Sequence, residues 1–138
     1  MSTRVLITYA TTHGSTKEIS EVITETIRNR GGDVEIQPIK NVKSLEGFSL
    51  VILGAPLYMF RWHKDAHRFL KKHQQVIKNG LPVAVFAGGP LEPSTDKEWQ
   101  DVNDQLNKAL AKHPWFKPQS VLIVGGKFNT EDLRFPYN

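Results

Sequence analysis

Four apolar blocks punctuate the chain: Val5–Ala10, Leu50–Leu53, Pro82–Phe86 and Val121–Val124. Their apolar residues run on with little alternation. Such runs predict strands buried on both faces. A fifth segment differs, because Val34 and Ile36 alternate with Glu35 and Gln37 before Pro38 closes it. That pattern predicts a short, half-exposed edge strand. Between the blocks the period changes to that of a helix. Ile19, Val22, Ile23 and Ile27 mark a helix from about Ser15 to Arg30, stopped by Gly31-Gly32. Ala66, Phe69, Leu70 and Ile77 mark another over Asp65–Lys78, stopped by Asn79-Gly80. A third shows Trp99, Val102, Leu106, Ala109 and Leu110 on one face, opened by the capping pair Thr95 and Glu98.

The connections are short. Asn41–Phe48 is a polar link with one helical turn expected around Ser44–Glu46. Gly54-Ala55-Pro56 is expected to end the second buried strand, leaving Leu57–Trp62 as an aromatic loop, and His113–Pro118 is a turn. Strand and helix alternate throughout, which predicts an α/β sandwich around a parallel sheet. No internal repeat, low-complexity tract or linker interrupts it, so residues 1–138 are expected to form a single domain.

Composition narrows the class. The chain has 138 residues, 39% hydrophobic and 23% charged, enough for one soluble domain with a core. The absence of cysteine removes disulfides, thiolate metal sites and cysteine nucleophiles together. No apolar leader follows Met1, and no apolar run is long enough to span a bilayer, so a cytoplasmic protein is expected. The formal net charge of +4 favours anionic ligands or surfaces. Because the Lys and Arg residues are scattered, nucleic acid is not an expected partner.

The strongest chemical signal follows the first strand. Thr11-Thr12-His13-Gly14-Ser15-Thr16 places four hydroxyls around one glycine at a helix start. Free N–H groups and the helix dipole make such a place a phosphate seat. A plain helix cap needs fewer hydroxyls. The loop lacks the Gly-Lys-Ser/Thr ending of a P-loop and the G-x-G-x-x-G spacing of a dinucleotide site. In open α/β sheets ligands bind beyond the carboxyl ends of the strands. Here those ends carry the hydroxyl loop, the aromatic loop Ala55–Trp62 and the glycine-rich Ala87-Gly88-Gly89-Pro90. A phosphate seat near surfaces suited to a flat ring describes a mononucleotide site.

This pattern resembles the flavodoxin-like family, which binds FMN, over Arg4 to about Lys127. The family's phosphate loop has the form T-x-T-G-x-T. Thr11, Gly14 and Thr16 match it, while His13 stands where Thr or Ser is usual. The run Gly54-Ala55-Pro56-Leu57-Tyr58-Met59-Phe60-Arg61-Trp62-His63 is similar to the branch containing menaquinone-dependent protoporphyrinogen oxidases. The resemblance implies a five-stranded parallel sheet of order 2-1-3-4-5. It implies FMN phosphate on Thr11, Thr12, His13, Gly14, Ser15 and Thr16. The isoalloxazine would then be flanked by Ala55, Pro56, Leu57 and Tyr58 and by Ala87, Gly88, Gly89 and Pro90. Tyr58 or Trp62 is the ring expected to stack on it.

Other constellations fall away. His63 and His67 are spaced for a metal on one helix face, but no third ligand accompanies them and a solvated face is expected. A receiver domain would need acidic residues where Thr8, Ala10 and Thr11 stand. A serine hydrolase would need a G-x-S-x-G elbow, and there is none. Three functions are left: an FMN oxidoreductase serving a quinone or porphyrinogen, a one-electron carrier, and a flavin-free interaction module. Flavodoxin carriers are usually acidic and this chain is basic, which favours the first. Expected partners are a redox protein or a small anionic or quinone acceptor. Arg61, His63 and Lys64 would also suit peripheral contact with an anionic membrane surface. Residues 128–138 hold no amphipathic helix of useful length, so the family's final helix is expected to be missing. The sheet face it would cover then predicts a homodimer, a partner or a shortened chain.

Overall fold

A computed structural model describes residues 4–10, 15–58, 61–88 and 96–124, without the side chains of Ser15, Tyr58, residues 96–99, Val102 and Val124. Strand β1 (Arg4–Tyr9) leads to helix α1 (Ser15–Asn29), and β2 (Asp33–Pro38) runs into a short 3-10 helix at Ile39–Asn41. Strand β3 (Leu50–Tyr58) is followed by β4 (Arg61–Trp62), then helices α2 (Lys64–Lys72) and α3 (Gln74–Lys78). Strand β5 (Val83–Gly88), helix α4 (Asp96–Leu110) and β6 (Val121–Val124) complete the described elements.

The sheet order is β2-β1-β3-β5-β6, with every pair along that path parallel. This is the expected 2-1-3-4-5 order with one extra strand in the numbering. The extra strand is β4, which pairs antiparallel with the end of β3.

Alternate residues of the central strands serve two cores. Val5 and Ile7 of β1, Leu50 and Ile52 of β3, and Ala84 and Phe86 of β5 pack with Ile19, Ile23 and Ile27 of α1. Leu6, Val51, Leu53, Val83 and Val85 point the other way, onto Phe69 and Leu70 of α2, Ile77 of α3 and Leu106 of α4. Double burial explains the unbroken apolar runs. Helix α1 ends where Gly31 adopts φ 84. The Gly32 N–H then reaches the Ile27 carbonyl (2.9 Å) and the Gly31 N–H that of Arg28 (3.0 Å), closing a Schellman cap.

Three expectations change. Gly54-Ala55-Pro56 does not end β3, which continues to Tyr58. Gly54 lies opposite Phe86 in register, and a Cβ there would overlap the Phe86 ring. The glycine thus makes room for a neighbour's aromatic ring. Pro56 biases Ala55 towards extended backbone, which lengthens the strand. The expected Asp65–Lys78 helix is broken at His73 (φ -105, ψ 18), between α2 and α3. The helical turn expected near Ser44–Glu46 occurs earlier, as the 3-10 helix at Ile39–Asn41. The Thr95–Glu98 cap and residues 128–138 lie outside what is described.

Gly54→Ala is expected to cost about 1–3 kcal/mol by overpacking. In denaturant unfolding, Phe86→Leu in the same chain should recover part of that loss. Strictly additive losses would show that the ring does not fill the glycine's space.

Candidate functional site

Strand β1 delivers the candidate phosphate loop. The Ala10 N–H donates to the Gly54 carbonyl (2.9 Å), so the loop leaves the sheet beside the middle of β3. Thr11, Thr12, His13 and Gly14 lie outside the described residues, and Ser15 opens α1. Thr16 is the informative position. Thr16, Ser20 and Thr24 form a buried stripe along one side of α1. Ser20 Oγ donates to the Thr16 carbonyl and Thr24 Oγ1 to the Ser20 carbonyl, both at 2.8 Å. The same relation for Thr16 would need a helical carbonyl at position 12, which precedes the helix. The Thr16 hydroxyl is 1% exposed as a residue and has no hydrogen-bond partner among the described residues. Buried polar groups seldom remain unpaired. An orphaned hydroxyl in the first turn of a 15-residue helix fits an anion bound at that terminus. Thr8 Oγ1, near the end of β1, is a second buried hydroxyl without a partner.

The second expected wall is a hairpin. Ala55, Pro56, Leu57 and Tyr58 belong to β3, and Leu57 and Tyr58 pair with Trp62 and Arg61. Trp62 was expected at the pocket mouth, but it is 2% exposed and part of the core. Its indole N–H donates to the Ala55 carbonyl (3.2 Å). Trp62 therefore braces the wall from within. The Pro56 carbonyl is also engaged, by the His63 N–H (3.1 Å). Of the third wall, Ala87 is buried and Gly88 ends β5 beside Pro56. Gly89 and Pro90 lie outside the described residues.

The structure adds a contact that local sequence did not suggest. His67 Nδ1 and His113 Nε2 lie 2.8 Å apart, sharing one proton. The His67 ring meets the Trp62 edge (centroids 5.5 Å), and His113 meets Trp115 (6.1 Å). His63 instead caps α2, its Nδ1 accepting from the Asp65 N–H (3.1 Å). The two histidines spaced four apart thus face different partners, and no cluster of three metal-binding side chains occurs among the described residues. Burial first, then His113, Lys112 and Lys71, lower the His67 pKa from 6.5 to about 4. Burial, then Lys71 and Lys112, also lower that of His113. No helix among the described residues is long and apolar enough to cross a membrane.

A five-stranded parallel sheet of this order between helical layers defines a flavodoxin-like fold. The profile of the flavodoxin domain matches residues 6–136, and the chain belongs to that family. Solved structures agree on the fold. Two-electron reduced Megasphaera elsdenii flavodoxin superposes with TM-score 0.65 at 18% identity, over 88% of this chain and 86% of that one. Fusobacterium nucleatum flavodoxin bound to flavin mononucleotide gives 0.56 at 22%, over 88% and 69%. Rubredoxin oxygen:oxidoreductase from Desulfovibrio gigas gives 0.66 at 18%, over 94% of this chain and 32% of that one. Among curated proteins none matches the chain significantly.

Folded His67 holds its proton less tightly than the unfolded residue. Acidification from 6.5 towards 4 therefore favours the unfolded state, and stability should fall across that window. His67→Gln should flatten this dependence in unfolding measured at stepped pH. An unchanged slope would mean that the pair does not govern the acid limb.

Proposed function

We propose that this chain is an FMN-binding electron-transfer flavoprotein that serves a small acceptor of the quinone or porphyrinogen type. The observation that carries the cofactor assignment is the buried, unpartnered Thr16 hydroxyl at the start of α1. Thr11, Thr12, His13, Gly14, Ser15 and Thr16 would hold the phosphate. Thr16 has a hydroxyl already desolvated by folding, so binding need not strip water from it. Ala55, Pro56, Leu57 and Tyr58, with Ala87, Gly88, Gly89 and Pro90, would flank the ring system. When bound, FMN supplies redox chemistry that none of these side chains can perform.

The hairpin bears on how electrons move. A one-electron carrier of this family turns a peptide in this segment to offer a carbonyl to the reduced ring, commonly at Gly, Asn or Asp. The segment from Ala55 to Trp62 has none of these residues. Leu57 and Tyr58 would meet about 1–2 kcal/mol of steric cost in a left-handed conformation. The Ala55 and Pro56 carbonyls already accept from Trp62 and His63. These contacts support transfer of electrons in pairs, and the net charge of +4 suits an anionic acceptor or an acidic redox protein. The second reading, a one-electron carrier, is favoured by the fold shared with flavodoxins.

Thr16→Val separates binding from folding. It removes a donor to a charged group, about 1.5–3 kcal/mol, or about ten- to 150-fold in FMN affinity. It should leave the cofactor-free fold as stable or more stable, since it also removes an unpaired buried hydroxyl. Lost stability with unchanged FMN affinity would refute the phosphate assignment. Anaerobic reductive titration, followed by visible absorption, should pass from oxidised to fully reduced without a persistent long-wavelength band. A strong band would favour the one-electron reading.

A further inference from the structure

A cleft of about 190 Å3 lies between the 3-10 helix and α2, on the opposite side of the sheet from α1. Ile39, Val42 and Phe69 form its apolar wall, and Lys40, Arg68 and Lys72 supply positive charge. Asp65, the one carboxylate among its described lining residues, already faces Arg68 (4.0 Å) and His63 (3.9 Å). Three cations against one carboxylate leave a positive excess. The Lys72 ammonium is drawn to the cleft side of α2, donating to the Val42 carbonyl (3.4 Å).

His73 also lines this cleft, at the break between α2 and α3. It is 7% exposed, its ring packs on Phe69 at 4.7 Å, and its Nε2 is buried with no hydrogen-bond partner among the described residues. A buried imidazole without a partner for one nitrogen, beside a cleft with excess cations, makes His73 sensitive to any anion that enters the cleft. We infer that this cleft binds a small organic anion, whose carboxylate or phosphate oxygens meet Arg68 and Lys72 beside the His73 ring while its body lies against Ile39, Val42 and Phe69. The volume is that of about six waters, which suits a small metabolite better than a macromolecular segment. The inference is independent of the flavin assignment, because it uses the other layer of the fold.

Burial and then Lys72 hold the His73 pKa below its ordinary value. A bound anion favours the charged ring and should raise that pKa against the effects of Lys40, Arg68 and Lys72. The experiment is a titration of the FMN-loaded protein with inorganic phosphate, with succinate and with uncharged succinamide, read at the His73 ring by NMR. Saturable binding of phosphate, succinate or both, with a raised His73 pKa and no response to succinamide, is the expected result. Phosphate alone would identify a phosphorylated ligand, and succinate alone a carboxylate. Arg68 and Lys72 are exposed, so Arg68→Gln and Lys72→Gln should keep the fold and weaken binding about tenfold each. An unchanged flavin spectrum locates the event away from the cofactor. The inference is overturned if the His73 shift is unsaturable and matched by sodium chloride, or survives both substitutions unchanged.

Discussion

Parallel pairing of β1 between β2 and β3 is the constraint on which the other features depend. It sets Tyr9 beside both Pro38 and Gly54, and the neighbouring pair sets Pro56 beside Gly88. All carboxyl ends therefore fall at one edge, and segments far apart in sequence leave the sheet close together. Parallel strands also require crossovers, which place α1 on one face and α2, α3 and α4 on the other. Each central strand is then buried twice. The apolar runs and the shared edge are two consequences of the same hydrogen-bond pattern.

Helix α1 meets that edge with a polar stripe where an all-apolar one would bury more. Ile19, Ile23 and Ile27 hold it to the sheet, and Thr16, Ser20 and Thr24 lie buried beside them. Two of the three hydroxyls are satisfied by the helix's own carbonyls. The third cannot be, because it stands too near the helix start. Its burial costs about 1–3 kcal/mol when nothing accepts from it. A site carried on a packed helix keeps its donor in place without a ligand, and the desolvation cost falls on folding instead of on binding.

The strands were legible because double burial leaves a continuous apolar signature. Helix α1 was legible because its stripe and its Gly31-Gly32 stop agree. The errors have other causes. Gly54 and Pro56 carry the local marks of a strand end, yet Gly54 accommodates Phe86, a partner 32 positions away. Trp62 reads as a loop aromatic because its acceptor, the Ala55 carbonyl, belongs to a strand whose continuation was missed. His67 reads as a surface residue because His113 lies 46 positions on. His73 sits within an apolar helical period, yet the helix breaks there and its ring is buried. At Gly54 and His67 a long-range partner overrides a local signal.

The pairing of β3 with β4 is held by contacts to three elements. Trp62 ties it to the Ala55 carbonyl, the Trp62 ring rests on His67, and His67 bonds to His113 in the turn after α4. Movement of this wall would disturb three elements together. Freeing one occupied carbonyl for a ligand would cost about 0.5–1.5 kcal/mol, before the steric cost of about 1–2 kcal/mol for a left-handed Leu57 or Tyr58. Together these would lower the rearranged population about ten- to several-hundredfold. On the flavin reading, such a wall fixes the surroundings of the ring instead of adapting them to each redox state. On that reading selectivity would come from what approaches the ring, and the basic groups Arg61 and Lys64 stand exposed beside this wall. On the proposed reading, that rigidity would hold one cofactor geometry through the reaction.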